Sequence, residues 1–542
     1  MKKIELYDTT LRDGAQTEGI SYSVYDKVRI ARKLDELGIH YVEGGYPLSN
    51  PKDKAFFAEL KKKPLKTAKL VAFGSTRRAG VAPQDDAGLK SLVDSGAKVA
   101  TVFGKSSELH VREVLRVSLE ENLDMIRGSV GFLKEKGLQV IYDAEHFFDA
   151  YKRNAGYALK TLKAAEEGGA TLLCLCDTNG GTLPSEVAQI IGKVRETVKT
   201  PLGIHAHNDS GMAVANSIAG VEAGCAQVQG TINGYGERCG NANLITIIAV
   251  LKLKIGRDCV SDEKLKELTE VSRFVSEVSN MKQADNQPFV GKSAFAHKAG
   301  MHINAVLKTS QSYEHIDPVL VGNARRILVS ELAGKSPILL KAQELNLDLK
   351  KDSPEAKKVV KTLQDLENAG FQFEAADASF EILVKRTLKK FKDFFLLEGF
   401  RVIIEKRKKG KVTSEATVKL KVGSQSEHTS SDGDGPVNAL DNALRKALKA
   451  FYPQVSKMRL SDFKVRVLDA KAGTAAKVRV LIQSQDERDT WTTVGVSENL
   501  IEASWQALVD SIEYKLLKDQ QRDQQRDNNN RQARNKFNVF DE

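Results

Sequence analysis

Two histidines, His205 and His207, are separated by a single residue in a short apolar stretch that begins at Pro201. If this stretch forms a β-strand, alternate side chains point to the same face, so both imidazoles face in one direction. Two imidazoles on one face can bind a divalent metal ion, whereas the simpler interpretation is a pair of hydrogen-bonded histidines in a polar loop. A metal site therefore requires an anionic ligand from elsewhere in the chain.

Before Gly256, strand-like and helix-like segments alternate regularly, and the helices carry an apolar stripe, as in Val24–Leu37. Eight such units over about 255 residues are typical of an α/β fold of the (β/α)8 TIM barrel type, and an open doubly wound sheet is the alternative. The expected strands are Ile4–Asp8, His40–Gly44, Lys69–Phe73, Ala97–Phe103, Leu138–Ala144, Thr171–Cys176, Leu202–Ala206 and Ala226–Ile232.

Polar and glycine-rich residues follow most of these strands. The carboxyl ends of all strands in a barrel meet at one rim, so one carboxylate there could bind a divalent cation together with His205 and His207. After the eighth strand, closely spaced glycines let the backbone bend and bring Glu237 and Asn241 toward the rim. We do not interpret these glycines as a dinucleotide-binding fingerprint, because they follow a late strand. The rim residues are Asp8–Gly14, Glu43–Gly45, Glu145–His146, Asp177–Gly180, the two histidines and Asn233–Asn241.

The 542 residues predict two or three domains, and the formal net charge is +11. Basic residues are dispersed among 71 acidic ones, so we interpret the charge as a solvated surface and predict no nucleic-acid partner. No secretory segment or membrane span is expected, because the apolar runs are too short. Five cysteines form no disulfide framework, which predicts a cytoplasmic location. Two of them, Cys174 and Cys176, alternate with leucines and should lie in the barrel core.

Three segments resemble the signatures of the 2-isopropylmalate, homocitrate and citramalate synthase family. They are Asp8–Gln16, His205–Asp209 and Gly234–Asn241. The resemblance covers nearly the whole chain, and the three motifs occur in the family's order. Within the family, Glu43–Pro51 and Tyr142–Asp149 are most similar to the longer bacterial members, which condense pyruvate with acetyl-CoA.

The resemblance implies a metal-dependent Claisen condensation. Arg12 would hold and polarise the keto acid, because a fixed guanidinium and a divalent cation together stabilise the negative charge that develops on the ketone oxygen. The implied cation is manganese, magnesium or zinc. Its implied ligands are Asp13, His205 and His207, with Asn241 as the fourth ligand or a nearby polar group.

The remaining site residues also come from the resemblance. Glu145 is the candidate for acid and base work on the acetyl methyl group, and Thr178 would bind the keto-acid carboxylate. In many family members an acidic residue follows the glutamate at position 145, whereas this chain has His146. The proton partner of Glu145 is therefore open. The further contacts to substrate are assigned to Gln16 and Glu43, and a further catalytic role to Glu237.

Residues 271–370 are expected to form a connector with helices, because the regular alternation stops after Gly256. In the family this segment reaches over the active site of a partner subunit. The resemblance therefore implies a homodimer in which His302 and Tyr313 act in trans, and an imidazole near neutral pKa suits proton transfer. The simpler interpretation of either residue is a capped turn or a core aromatic.

An internal repeat follows the connector: two strand candidates and a helix occur twice, which predicts an α+β domain of two ββα repeats over 371–518. The family uses this domain for feedback, so the implied effector is isoleucine, with the turn Gly433–Pro436 offering backbone N–H groups to its carboxylate. A dimerisation module is the alternative. Residues 519–542 are rich in Gln, Arg, Asp and Asn and are expected to be disordered.

Four functions remain to be compared. The first is condensation of acetyl-CoA with pyruvate, and the second is the same reaction with the keto acid of 2-isopropylmalate synthase. The third is a carbon–carbon lyase of the hydroxymethylglutaryl-CoA type, which would not need the repeat domain. The fourth is a non-catalytic amino-acid sensor, which would have no use for Arg12, Asp13 and the histidines together.

Overall fold

Eight parallel strands close into a barrel, so the predicted fold is confirmed and the open sheet is wrong. The computed structural model describes residues 3–328, 353–373, 376–408, 410–468, 476–487 and 489–537. The last strand pairs with the first in a parallel register that runs from Glu5 opposite Gln227 to Asp8 opposite Gly230. The strands are β1 (Glu5–Asp8), β2 (Tyr41–Glu43), β3 (Lys69–Ser75), β4 (Val99–Lys105), β5 (Gln139–Glu145), β6 (Leu172–Asp177), β7 (Leu202–Ala206) and β8 (Gln227–Gly230).

Helices between the strands and after the last strand pack their apolar faces on the outside of the barrel. The first begins with a capping box, in which Ser23 and Asp26 satisfy each other's backbone N–H groups, and it ends at Gly38 with φ of 94°. These helices are α1 (Val24–Leu37), α2 (Pro51–Lys62), α3 (Ala87–Asp94), α4 (Leu119–Glu135), α5 (Phe147–Arg153), α6 (Ala155–Gly168), α7 (Pro184–Thr197), α8 (Ala213–Glu222), α9 (Leu244–Val250), α10 (Asp262–Leu265) and α11 (Leu268–Val278). Within the described residues, no helix is long and apolar enough to cross a bilayer.

Short helices also lie in the loops. The 3-10 helices are Gly14–Gln16, Pro83–Asp85, Ile232–Gly234, Ser310–Ser312, Pro318–Val321 and Pro453–Lys457, and the π-helices are His110–Leu115 and Leu251–Ile255.

The barrel interior contains a closed layer of side chains. Tyr7 and Tyr41 stack there with ring centroids 6.0 Å apart, and Cys174 and Cys176 are buried in the same layer. Burial raises the pKa of the Cys174 thiol well above its usual value. The prediction that these two cysteines belong to the barrel core is therefore confirmed.

The chain divides into two compact units. The first contains Met1–Ala296 with Glu314–Arg326, and the second contains His297–Tyr313 with Ile327–Glu542. The expected connector, 271–370, is thus shared between both units, and its part from 329 to 352 lies outside the described residues. Its elements are β9 (Ala296–His297), α12 (Gly300–Lys308), β10 (Arg326–Ile327) and α13 (Pro354–Asn368).

The C-terminal part of the second unit contains two three-stranded antiparallel sheets, each followed by a helix. The repeat was predicted, but each copy is βββα and not ββα. The extra strand of the first copy, Gln425–Gly433, was missed because it has no apolar residue, so it shows no hydrophobic alternation. The elements are α14 (Asp377–Thr387), β11 (Leu396–Glu405), β12 (Thr413–Val422), β13 (Gln425–Gly433), α15 (Pro436–Lys449), β14 (Arg459–Val467), β15 (Val478–Gln485), β16 (Thr490–Ser497) and α16 (Leu500–Phe537).

The segment after Lys518, expected to be disordered, continues helix α16 as far as Phe537. Ion pairs on the helix surface support this continuation: Lys515 contacts Asp519 at 2.9 Å, and Arg522 contacts Asp519 at 3.5 Å. Such pairs three or four residues apart stabilise a helix that has little apolar surface to bury. The composition of the segment alone did not reveal these pairs.

A cluster in this domain places one guanidinium against three carboxylates, of which only that of Glu513 is buried. Arg386 contacts Glu513, and its nitrogens lie 3.1 Å from Asp510 and 3.1 Å from Asp393. Oε1 of Glu513 is buried and has no hydrogen-bond partner in the described part of the chain. Burial raises the pKa of Glu513 to about 8, although Arg386 acts in the opposite direction. The cluster therefore retains a proton near neutral pH.

We predict that the stability of this domain falls as pH rises from about 4.5 to about 8. The native domain binds the Glu513 proton more tightly than the unfolded chain does, so raising the pH favours unfolding. Both tryptophans of the chain, Trp491 and Trp505, lie in this domain, so their fluorescence reports its thermal unfolding. Glu513→Gln should reduce the fall of the unfolding temperature over this pH range by a few °C. A change of about 1 kcal/mol in the free energy of unfolding shifts the unfolding temperature by about 2–4 °C.

The matched control for this experiment is Glu415→Gln, because Glu415 is an exposed glutamate of the same domain. The control should retain the wild-type pH dependence. A Glu513→Gln variant whose transition still falls as steeply as that of the wild type would show that Glu513 does not titrate in this range.

Candidate active site

A cavity of about 410 Å³ opens at the carboxyl ends of the barrel strands. The sequence analysis predicted the active site at this rim of the barrel, and most of the predicted site residues line the cavity. Those residues are Arg12, Asp13, Gln16, Glu145, Thr178, His205, His207 and Glu237.

Asp13, His205 and His207 present one ligand atom each to a common point. Oδ2 of Asp13 lies 3.6 Å from Nε2 of His205 and 3.8 Å from Nε2 of His207. All three side chains are buried, and their ligand atoms lie within 4.8 Å of one another. One carboxylate and two imidazoles with an open side are a donor set that suits a divalent cation.

Several buried polar atoms at this point lack hydrogen-bond partners among the described residues. They include Oδ1 of Asp13 and both amide atoms of Asn241. The amide of Asn241 interacts with the carboxylate of Asp13 without a hydrogen bond of good geometry. Buried polar groups are seldom left unpaired, so this arrangement fits a metal ion that uses them.

The electrostatics of the three residues also fit a cation. Burial lowers the pKa of His207 to about 4, and His205 acts in the same direction. Burial likewise lowers the pKa of His205, although Asp13 opposes the shift. Burial favours a higher pKa for Asp13, but Arg12 and the histidines outweigh it and the net pKa lies below the usual value. At neutral pH the site therefore holds neutral imidazoles and a carboxylate, the forms that bind metals.

Asn241 reaches the site because the loop after β8 folds back onto the end of β7. A bridge joins His207 and Asn241, and the Ala242 N–H donates to the Ala206 carbonyl at 2.9 Å. A methyl group on Gly236 would lie 2.3 Å from Nδ2 of Asn241, so only glycine fits there. This loop was predicted to bring Asn241 to the rim, and the structure places it there.

Arg12 is held rigidly at the edge of the cavity. Its Nε donates to Glu43 at 2.5 Å, its Nη1 donates to Asp13 at 3.2 Å, and its Cζ lies 3.9 Å above the ring of Phe73. Glu43 is fully buried and also accepts hydrogen bonds from Tyr7 and Thr9. The predicted contact of Glu43 with substrate therefore needs revision: with its oxygens already occupied, Glu43 orients Arg12.

Glu145 and Thr178 lie on neighbouring parts of the rim. Glu145 pairs with Lys105 at the end of β4, and both side chains are largely buried. The hydroxyl oxygen of Thr178 accepts the backbone N–H of His146 at 2.9 Å. His146 has φ of 58°, a left-handed conformation that is uncommon outside glycine and that aims this N–H at Thr178.

The His146 ring lies against His110, with ring centroids 4.2 Å apart. Burial lowers the pKa of His146 to about 4, and His110 acts in the same direction. The ring is therefore neutral at physiological pH, so His146 does not replace the acidic residue of other family members as an anion.

Gln16 and Glu237 are exposed residues of the cavity wall, like Ser49, Asn50 and Arg238. The neighbouring Arg238 links its own loop to the loops that carry Asp209 and Thr178. It donates to both carboxylate oxygens of Asp209, at 2.7 and 2.9 Å, and to the carbonyl of Thr178 at 2.7 Å. Glu237 lies 3.4 Å from Arg238, which holds its side chain near the cavity mouth.

His302 and Tyr313 belong to the second unit, where their rings stack with centroids 4.1 Å apart. Both side chains are exposed, so neither is a core aromatic. His302 lies in α12 and Tyr313 follows the short helix Ser310–Ser312.

Sequence reasoning missed several residues of the site. Lys105 and Asp143 occur at strand ends, a position that could have identified them. Gln229 is a polar residue within a short buried strand, which is itself an unusual signal. The two aromatic residues of the cavity wall, Phe73 and Phe103, gave no signal, because aromatic residues are common in strands.

Comparison with known proteins gives matches along the chain. The HMGL-like family matches residues 3–275, the homocitrate synthase post-HMGL domain-like family residues 289–370, and the LeuA allosteric (dimerisation) domain residues 374–516. The (R)-citramalate synthases of Geobacter sulfurreducens and Aquifex aeolicus are each 55% identical over 522 residues, which is 96% of this chain and 99% of each relative. The chain belongs to the (R)-citramalate synthase family.

Membership of this family makes the chain an acyltransferase. Among solved structures, the HMG-CoA lyase of Bacillus subtilis aligns with a TM-score of 0.45 and 21% identity, covering 52% of this chain and 95% of that one.

Proposed function

We propose that this enzyme condenses acetyl-CoA with pyruvate and water to give (R)-citramalate and CoA. The observation that carries the proposal is the position of Arg12 beside the metal-binding group Asp13, His205 and His207, all in one cavity. The proposal is also supported by relatives named (R)-citramalate synthase that share 55% identity over nearly their full length. A divalent cation, manganese, magnesium or zinc, would supply Lewis-acid stabilisation of the developing alkoxide at this point.

In the proposed mechanism, the chain's own residues bind and orient pyruvate. Arg12 uses Nε and Nη1 for Glu43 and Asp13, which leaves its Nη2 group for the ketone oxygen. The Thr178 oxygen already accepts an N–H, so its own proton is free to be donated to the pyruvate carboxylate. Two fixed donors thus set the orientation of the carbonyl carbon before reaction.

Glu145 is the proposed acceptor of the proton from the acetyl methyl group. Its carboxylate lines the cavity and is held by Lys105. The resulting carbon nucleophile forms a bond to the carbonyl carbon of pyruvate as the C=O π bond opens, and the ketone oxygen takes up one proton to become a hydroxyl group. Water then cleaves the thioester, which gives a carboxylate and releases CoA. Gln16 and Glu237 lie at the exposed side of the cavity and are proposed to contact the incoming substrates.

The size of the keto acid is proposed to be limited by aromatic side chains. Phe73 and Phe103 stack with centroids 5.4 Å apart and form one wall of the cavity, next to Arg12. A methyl group fits against such a wall more easily than a branched side chain does. We therefore propose pyruvate and not the branched keto acid of 2-isopropylmalate synthase.

Release of the CoA thiol, followed with several keto acids, tests the proposal. With manganese present, kcat/KM for pyruvate should exceed that for 2-ketoisovalerate by at least about 100-fold, because each extra methyl group that must be excluded contributes about 10-fold or more. As a control, Phe103→Leu should reduce this preference while retaining the reaction. Equal rates with both acids, or cleavage of hydroxymethylglutaryl-CoA without condensation, would contradict the proposal.

The same assay tests the proposed effector, isoleucine. The LeuA allosteric domain at residues 374–516 supports a regulatory role. The turn at Gly433–Pro436 has fewer free backbone N–H groups for the isoleucine carboxylate than expected. The Asp434 N–H donates to Asn438 at 3.1 Å, and Pro436 has no N–H. Isoleucine should still reduce turnover about 5-fold or more at saturation, given coupling of about 1–3 kcal/mol. No effect of isoleucine, leucine or valine would leave the domain a dimerisation module.

We also propose a homodimer in which His302 and Tyr313 complete the site of the partner subunit. The support is that both side chains are exposed and stack on each other. Mixing inactive His302→Ala with inactive Glu145→Ala subunits should restore part of the activity, since some hybrid dimers then have one complete site. No rescue in a mixture shown to exchange subunits would place His302 in its own chain's site.

The five cysteines are free, in keeping with the proposed cytoplasmic location.

A further inference from the structure

Gln229 is a fully buried side chain on β8 that links two parts of the cavity wall. Its Oε1 lies 3.2 Å from Nδ1 of His205, and its Nε2 donates to Oδ1 of Asp143 at 3.0 Å. A carboxamide can make both contacts at once only if its oxygen faces the histidine and its nitrogen faces the carboxylate. Burial raises the pKa of Asp143 to about 7, so above this pH the Asp143 carboxylate can only accept, and it fixes the direction in which the Gln229 amide points.

This direction determines the tautomer of His205. The Gln229 oxygen can only accept, so the neutral imidazole must carry its proton on Nδ1. The lone pair is then on Nε2, the nitrogen that faces Asp13 at 3.6 Å. Without Gln229 the proton would be free to occupy Nε2, which would block this nitrogen as a metal ligand.

The other histidine of the site has no such partner. Nδ1 of His207 makes no hydrogen bond within the described ranges, and His207 is held through its backbone, whose N–H donates to Asp177 at 3.2 Å. The side-chain relay is therefore specific to His205.

We propose that Gln229 is a positioning residue that holds His205 in the tautomer a divalent cation requires, and that Asp143 holds Gln229. The inference rests on the metal site of the proposed function, but not on the identity of the keto acid. Partners that orient a metal-bound histidine typically contribute about 10–100-fold to metal affinity. The same magnitude is expected here.

The first experiment measures Mn²⁺ affinity of the metal-free, full-length enzyme by calorimetry. Gln229→Met keeps the approximate volume but cannot accept from His205, so it should weaken Mn²⁺ binding about 10–100-fold. The matched control is Gln227→Met, two residues earlier on the same strand. Gln227 is equally buried, but neither of its amide atoms has a hydrogen-bond partner among the residues described, so its replacement should leave Mn²⁺ affinity unchanged.

The second experiment reverses the polarity of the pair. Gln229→Glu combined with Asp143→Asn restores an acceptor for the His205 proton and a donor that holds this acceptor. The double variant should bind Mn²⁺ within about 3-fold of the wild type, since an anionic acceptor supports a metal-bound imidazole at least as well. A merely structural role for Gln229 would not predict this recovery.

A third measurement needs no metal. Nitrogen-15 chemical shifts of the histidine rings in the metal-free enzyme should show the proton of His205 on Nδ1 in the wild type. In Gln229→Met the two ring nitrogens should move toward a mixture of tautomers, and in Gln227→Met they should not change.

Each result decides the proposal. Wild-type affinity in Gln229→Met, an equal loss in Gln227→Met, or a proton on Nε2 of His205 in the wild type would overturn it, and so would a wild type that binds no Mn²⁺. If the expected Mn²⁺ affinities are found but pyruvate is not a substrate, the proposed function fails while the role of Gln229 stands.

Discussion

Asp13→Ala should lower kcat/KM for pyruvate by at least about 10³-fold, because it removes the only anionic ligand of the group formed with His205 and His207 and thus the charge stabilisation in the transition state. His205→Ala should have an effect of similar size. Both variants should also lose Mn²⁺ binding in calorimetry. The barrel should remain folded, because these rim residues do not belong to the apolar core.

Asp94→Ala is the control for these two variants. Asp94 is an exposed residue on α3 and has no part in the cavity, so its loss changes the charge by the same amount and should leave turnover unchanged. Circular dichroism of all three variants should match that of the wild type. Near-normal turnover of Asp13→Ala would remove the metal from the mechanism.

Arg12→Lys should lower kcat/KM by about 10²–10³-fold, mainly through kcat. The guanidinium contacts Glu43 and Asp13, and its Cζ lies 3.9 Å from the centre of the Phe73 ring; an ammonium group cannot make this forked set of contacts. Steady-state kinetics with pyruvate checks the prediction. Because lysine retains the positive charge, the loss of kcat/KM would report the geometry of the guanidinium contacts and not the net charge of the site.

Arg127→Lys is the matched control for Arg12→Lys. Arg127 also contacts two carboxylates, Asp124 and Glu167, but on the exposed surface of the barrel helices. Exposed ion pairs contribute little, so its replacement should change neither kinetics nor stability measurably. If Arg12→Lys behaves like this control, Arg12 does not act on the keto acid.

The barrel could be predicted because its signals are local. Each strand is a short apolar segment followed by a helix with an apolar stripe, and the residues that do chemistry stand at strand ends. The spacing of His205 and His207 pointed to a metal site, and the resemblance to the family nominated Asp13 as the carboxylate ligand, although nearly 200 residues separate it from the histidines.

The roles of Glu43 and Gln229 could not be predicted, because they depend on contacts across the barrel. Glu43 orients Arg12 only because Tyr7 and Thr9 hold it from two further directions. Gln229 matters through its distances to His205 and Asp143, residues of two other strands. Such contacts are set by the closure of the sheet, which residue types do not specify.

The regulatory domain was predicted less well for a different reason. Strand β13 lies on the surface and its residues are polar, so its stability comes from backbone pairing with β12 and not from burial. A pattern of hydrophobic residues cannot reveal such a strand. The continuation of α16 beyond Lys518 was also missed, because its sequence has no apolar stripe and the ion pair between Lys515 and Asp519 at its start is not visible in the composition.

Product analysis tests the central claim most directly. Purified enzyme with Mn²⁺, carbon-13 labelled pyruvate and acetyl-CoA should yield labelled citramalate of the R configuration, with one CoA thiol released for each pyruvate consumed, as chiral chromatography and mass spectrometry would show. Thiol release without labelled citramalate, or a product formed only from a branched keto acid, would contradict the assignment.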